Sequence, residues 1–118
     1  MKDISAKQDI EKLIRHFYSK LLLIEEMKPA FAGLDFEKHI PNFVHFWSFV
    51  LLDEPGYKTN VFDKHLNLPI KSSMFDVWLN TWVNSVDELF IGEKADLAKQ
   101  RATTLAHTFR SKWEQMGS

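Results

Sequence analysis

Cysteine is absent from this chain of 118 residues. That removes disulfides, zinc–thiolate sites, iron–sulfur clusters and cysteine nucleophiles together. Glycine is scarce, with four residues in all, and none of them forms a glycine-rich phosphate loop. Charge of either sign is not in excess: the net charge is −1 and no Lys/Arg cluster stands out, so the electrostatic footprint of a nucleic-acid or anionic-membrane binder is missing. Long apolar runs are missing too. The longest, Phe46 to Leu52, is interrupted by Ser48 and falls far short of the ~20 residues of a membrane span. The opening residues, MKDISAKQD, are charged and carry no apolar core of a signal peptide. Neither a Glu-x-x-His pair nor a His-Glu-x-x-His motif occurs, which leaves di-iron bundles and zinc peptidases without a basis. No Ser-His-Asp triad is singled out either.

What remains is ordinary in bulk and unusual in one respect. A hydrophobic share of 45% and a charged share of 26% suit one globular domain spanning residues 1–118, and a cytoplasmic location fits them. Ten phenylalanines, four tryptophans and two tyrosines are many for so short a chain. Aromatics fill cores, but they also line pockets for flat, apolar cofactors.

The periodicity is helical throughout. Ser5-Ala6-Lys7-Gln8 has the form of a capping box. Ile10, Leu13, Ile14, Phe17, Tyr18, Leu21 and Ile24 then recur on one helix face, and Lys28-Pro29 is expected to end that helix. Pro29 to Leu34 reads as a connector. A second helix carries Phe43, Phe46, Trp47 and Val50; Pro41 either stands in its first turn or kinks it. Asp53-Glu54-Pro55-Gly56 stops it. A third helix starts at Ser72 or Ser73 with Phe75, Trp78, Leu79, Trp82 and Val86 inward, and Gly92 suits its end. The last, from about Lys94 to Glu114, has alanines at 95, 98, 102 and 106 that allow close helix packing. No stretch alternates as a strand. The fold class is all-α.

Five histidines are the candidate ligands. His16 and His107 fall off their apolar stripes and are expected at the surface, and His45 is expected to face solvent. His39 and His65 stand at helix ends beside aromatic helices. One neutral imidazole with an aromatic-lined cavity is what five-coordinate haem iron asks of a protein. Tyr18 lies on a buried stripe, so its hydroxyl needs a partner inside or a route to the surface.

Taken together, Phe17-Tyr18, Pro29-Ala30-Phe31, Lys38-His39 eight residues before Trp47, Tyr57, Lys64-His65-Leu66-Asn67-Leu68-Pro69, Phe75-x-x-Trp78-Leu79 and Arg101-Ala102 stand in an order and spacing that resembles the truncated haemoglobins, most closely their third group. The resemblance covers Ile10 to about Trp113. It implies a shortened globin fold, two pairs of antiparallel helices around non-covalent haem b, with His65 as the proximal iron ligand. It places Tyr18, Trp78 and His39 on the distal side, and Phe31, Phe43, Phe46 and Trp47 around the porphyrin. Tyr57 and Lys64, with Lys58, flank the proximal segment and are candidate propionate contacts. The sequence departs from the family at Phe36, often tryptophan there, and at Pro41, which leaves open whether His39 faces ligand or swings outward as a gate.

The implied activity is binding of O2, CO and NO. Two distal donors worth on the order of 1.5–3 kcal/mol each would slow O2 release by well over tenfold, which suits NO or peroxide chemistry better than oxygen transport. Turnover would need a separate reductase, since no flavin or nicotinamide site is visible. A monomer is expected, with no nucleic-acid or membrane partner. The alternative is a cofactor-free helical interaction module whose aromatics are only core.

Overall fold

The computed structural model describes residues 1–31, 33, 35–55 and 72–115, with the backbone alone considered at residues 30, 72 and 112–115. Helix α1 (Lys7–Leu21) forms because Ile10, Leu13, Ile14, Phe17, Tyr18 and Leu21 share one face, and all six are buried. Its start lies one residue later than the Ser5–Gln8 box predicted. Ala6 takes the cap position, and Asp9, not Gln8, reaches back: its carboxylate accepts from the amides of Ser5 and Ala6 at 3.0 and 3.2 Å. A carboxylate both satisfies those donors and opposes the positive end of the helix, which an amide does not.

The end of α1 also differs from expectation. Leu21-Leu22-Leu23-Ile24 is continuously apolar, and one helix face cannot bury four consecutive side chains. The chain turns at Leu22, Leu23 is left 78% exposed, and Ile24 precedes a short 3-10 turn, Glu25–Met27. Pro29 then sits in the first turn of a short helix α2 (Lys28–Phe31), where its missing N–H costs nothing. That proline begins a helix instead of ending one.

Helix α3 (Phe36–Leu52) is capped by Asp35, whose side chain accepts from the Glu37 amide at 3.1 Å. Pro41 lies in its second turn, beyond the position the first-turn reading allowed. It is exposed, and its missing N–H removes the ladder partner of the carbonyl four residues back. Ile40, Phe43, Val44, Phe46, Trp47, Ser48 and Leu51 are buried. The helix closes at Asp53, in the left-handed region at φ 55 with its amide on the Ser48 carbonyl, a conformation that Asp tolerates better than most residues.

Helix α4 (Ser72–Leu89) and helix α5 (Glu93–Gln115) form the most extensive helix pair among the described residues. The alanines at 95, 98, 102 and 106 are all buried; their small side chains let α4 approach. Trp82, 1% exposed, lies against them and its indole N–H donates to the Ala98 carbonyl at 3.2 Å. Thr81 and Ser85, buried on the same helix, return their hydroxyls to the carbonyls of Val77 and Thr81, both at 2.7 Å.

Chain direction follows from the cross-links. Lys7 pairs with Glu54 and Tyr18 with His39, so α1 and α3 run antiparallel. Asp87 with Lys99 and Asp76 with Arg110 set α4 and α5 antiparallel in the same way. Helix α1 bridges the pairs through Phe17, edge-on to Trp78 and Trp82 at 6.0 and 5.2 Å, and through the Lys20–Glu88 ion pair. The described residues hold no strand. No helix among them is long and apolar enough to cross a membrane.

Gly92 does not end α4 as expected. It stands at the start of α5 with φ 138, and its carbonyl accepts from the Asp96 amide. The N-terminal arm lies over this turn. The Asp3 carboxylate accepts from the amides of Lys94 and Ala95 at 2.9 and 2.8 Å, the Lys2 carbonyl accepts from Ile91, and Ile4 is buried. A residue remote in sequence therefore supplies the N-terminal cap of α5.

Candidate functional site

The aromatic residues converge where α1, α2, α3 and α4 meet. Tyr18 is at the centre, 4% exposed. Its ring meets Phe31 and Phe36 edge-on, at 5.9 and 5.1 Å, and lies parallel to Phe43 at 5.9 Å. The helical spacing on α1 turns Tyr18 inward, and α3 supplies Phe43 one turn past His39. Tyr18 Oη lies 2.9 Å from His39 Nε2. Burial pushes the phenol well above the usual tyrosine range, so it stays protonated at neutral pH. With an unprotonated Nε2, the Tyr18 O–H donates; in the tautomer that carries the proton on Nε2, Nε2–H donates and the tyrosine proton is free to point at another acceptor.

The half-buried His39 ring sits against Phe43 at 4.2 Å. This answers the ambiguity that Pro41 raised: the imidazole is turned inward, onto the tyrosine. Trp78 is half-buried at the edge of the cluster, and its indole N–H has no hydrogen-bond partner among the described residues. Trp82, one turn on, spends its N–H on Ala98. Trp47 stacks on Trp82 at 4.6 Å, and Phe46 meets Trp47 edge-on at 5.3 Å. Of the expected site, Tyr18, His39, Trp78, Phe31, Phe43, Phe46 and Trp47 thus fall in one aromatic region. His65, Tyr57 and Lys64 lie outside the described residues.

Two histidines differ from their surface placement. His16 is half-buried, its Nε2 3.5 Å from Glu88 Oε1 beside the Lys20–Glu88 pair. His45 is half-buried as well, while His107 is exposed as expected. Sequence reasoning marked Phe36 only as a departure from the family's usual tryptophan; it packs directly on Tyr18. The Asp35 cap that sets the start of α3 was the signal that could have placed it.

A family model described as "Bacterial-like globin" matches residues 2–111. Among curated proteins, the chain is similar to the group 3 truncated hemoglobin ctb of Campylobacter jejuni, with 27% identity over 89% of this chain and 88% of that protein. Among solved structures, the group III truncated hemoglobin from Campylobacter jejuni matches with a TM-score of 0.84 at 28% identity, covering 95% of this chain and 94% of the other. The helix order, the antiparallel pairs and these likenesses agree with the resemblance carried by the sequence motifs, and the chain belongs to the bacterial-like globin family.

Proposed function

We propose that the protein is a haem b protein that binds O2, CO and NO, the whole 118-residue chain acting as one globin unit. Membership of a globin family points to haem-based gas binding; the finer assignment is ours. Haem, when bound, supplies an iron centre that takes up diatomic gases reversibly.

The described residues fit that group. A flat, largely apolar macrocycle needs aromatic walls, and Phe31, Phe43, Phe46 and Trp47 supply them from α2 and α3. A polar diatomic ligand needs a few donors set into those walls. Tyr18 O–H, held neutral by its burial, and the Trp78 N–H, without a hydrogen-bond partner among the described residues, are such donors. His65 would hold the iron, and Tyr57 and Lys64 would be the propionate contacts. His39 holds the Tyr18 hydroxyl in place, and its tautomer decides which way that proton points.

The observation that carries the reading is the 2.9 Å Tyr18–His39 contact inside an aromatic shell. A buried phenol paired with an imidazole is a poor choice for a mere core, where Phe–Leu packing would avoid two desolvated polar groups. Preorganised donors suit slow O2 release, and with an external reductase they suit NO or peroxide conversion.

The test is an absorption spectrum of the reduced protein, with and without CO, beside His65→Ala. A strong Soret band in the parent that is lost or weakened in the variant supports haem and its ligand. Well-folded protein with no Soret band after hemin addition would exclude the reading and leave a helical interaction module.

A further inference from the structure

Where the C-terminal end of α3 meets α5, a groove of about 500 Å³ opens at the surface. One wall, from the end of α3 and the turn after it, carries Phe49, Val50, Asp53 and Pro55; the α5 wall carries Arg101. Phe49 leaves 46% of its surface exposed, beside two further apolar side chains. Neither the Asp53 carboxylate nor the Arg101 guanidinium has an ion-pair or hydrogen-bond partner among the described residues. Two other cations of α5 are tied down, Lys99 to Asp87 and Arg110 to Asp76.

We propose that this groove is where two copies of the chain associate as a two-fold dimer, with Asp53 of each copy meeting Arg101 of the other across the Phe49–Val50–Pro55 patch. A two-fold interface must be self-complementary: if one residue meets a second, the second meets the first. An anion on one wall and a cation on the facing wall of a single apolar groove meet that condition, and one contact then forms two ion pairs. The groove is small against the area of a stable interface. The dimer is therefore weak and concentration-dependent, in place of the monomer expected from sequence.

Sedimentation equilibrium of the purified protein from micromolar to millimolar concentration tests this. The weight-average mass should climb toward twice the monomer mass. Arg101→Glu sets carboxylates face to face and should weaken association by roughly tenfold or more. Asp53→Asn, which suits the left-handed backbone, tests the same contact from its other side and should weaken it too. Reversing the pair, Asp53→Lys with Arg101→Glu, should restore association relative to Arg101→Glu alone. Phe49→Ser, at an exposed position, should weaken it without loss of helix by circular dichroism. A strictly monomeric parent at millimolar concentration, which is also what a groove reserved for a different protein would give, overturns the proposal. Association unaltered by Arg101→Glu and Asp53→Asn in folded protein overturns it as well.

Discussion

Tyr18 on α1 and His39 on α3 hold each other by a 2.9 Å hydrogen bond, and Phe43 packs against both rings. The phenol is the more deeply buried partner. Replacing Tyr18 by Phe keeps the aromatic contacts and removes only the hydroxyl. Under the haem reading, O2 release should then quicken by more than about tenfold, the worth of one good donor. Stopped-flow displacement of O2 by CO measures it. An unchanged rate would take Tyr18 out of contact with ligand.

Trp78 and Trp82 differ in what their indole N–H groups do, and the same substitution should separate them. Trp82→Phe loses the bond to the Ala98 carbonyl and part of the stack on Trp47. Stability should fall by about 1–3 kcal/mol in urea titrations. Trp78→Phe breaks no hydrogen bond among the described residues, so its cost should stay within about 1 kcal/mol while O2 release quickens. The reverse pattern would mean that Trp78 is only core.

Gly92→Ala should be poorly tolerated. At φ 138 an L side chain is strained, and the added Cβ would stand 2.5 Å from Asp3 Cγ. A loss on the order of 1–3 kcal/mol follows from the backbone alone, before the arm is displaced. Urea unfolding would show it as a lower midpoint; an unshifted midpoint would mean that arm and turn relocate freely.

Asp3 carries a pH signature. Desolvation works to raise its pKa, but the amides of Lys94, Ala95 and Ile4 and the nearby Lys94 ammonium outweigh it and hold the carboxyl below its ordinary 3.8. For a depressed carboxylate, the stabilisation is complete above the unfolded value and is lost as pH falls through the lower folded one. Asp3→Ala should therefore cost about 1 kcal/mol at neutral pH, the worth of a cap. At a pH below that lowered folded value the variant and parent should converge. A constant difference in urea stability at both pH values would assign the loss to packing instead.

How far the sequence could be read depended on whether a feature is periodic. The stripes of α1, α3, α4 and α5, the alanine row on α5 and the inward turn of Tyr18 follow from the 3.6-residue repeat and stand in the structure as expected. Ends were read less well, because an end is set by which donor finds which acceptor. The choice of Asp9 over Gln8, the early close of α1 at Leu21 and the role of Pro29 in starting α2 all turn on local contacts that no repeat encodes. Asp3 and Gly92 were invisible as partners for the same reason, being joined only by the folded chain. In the candidate site, motif order brought Tyr18, His39 and Trp78 to one region. The direct contact between the first two, despite Pro41, needed coordinates.

The cap on α5 also has a temporal side. The ribosome makes Asp3 long before it makes the helix whose amides Asp3 receives. Helix α5 therefore emerges, last of the five described helices, toward a carboxylate already waiting on the nascent chain. The start of α5 and the N-terminal arm thus complete each other's hydrogen bonds only once both are present.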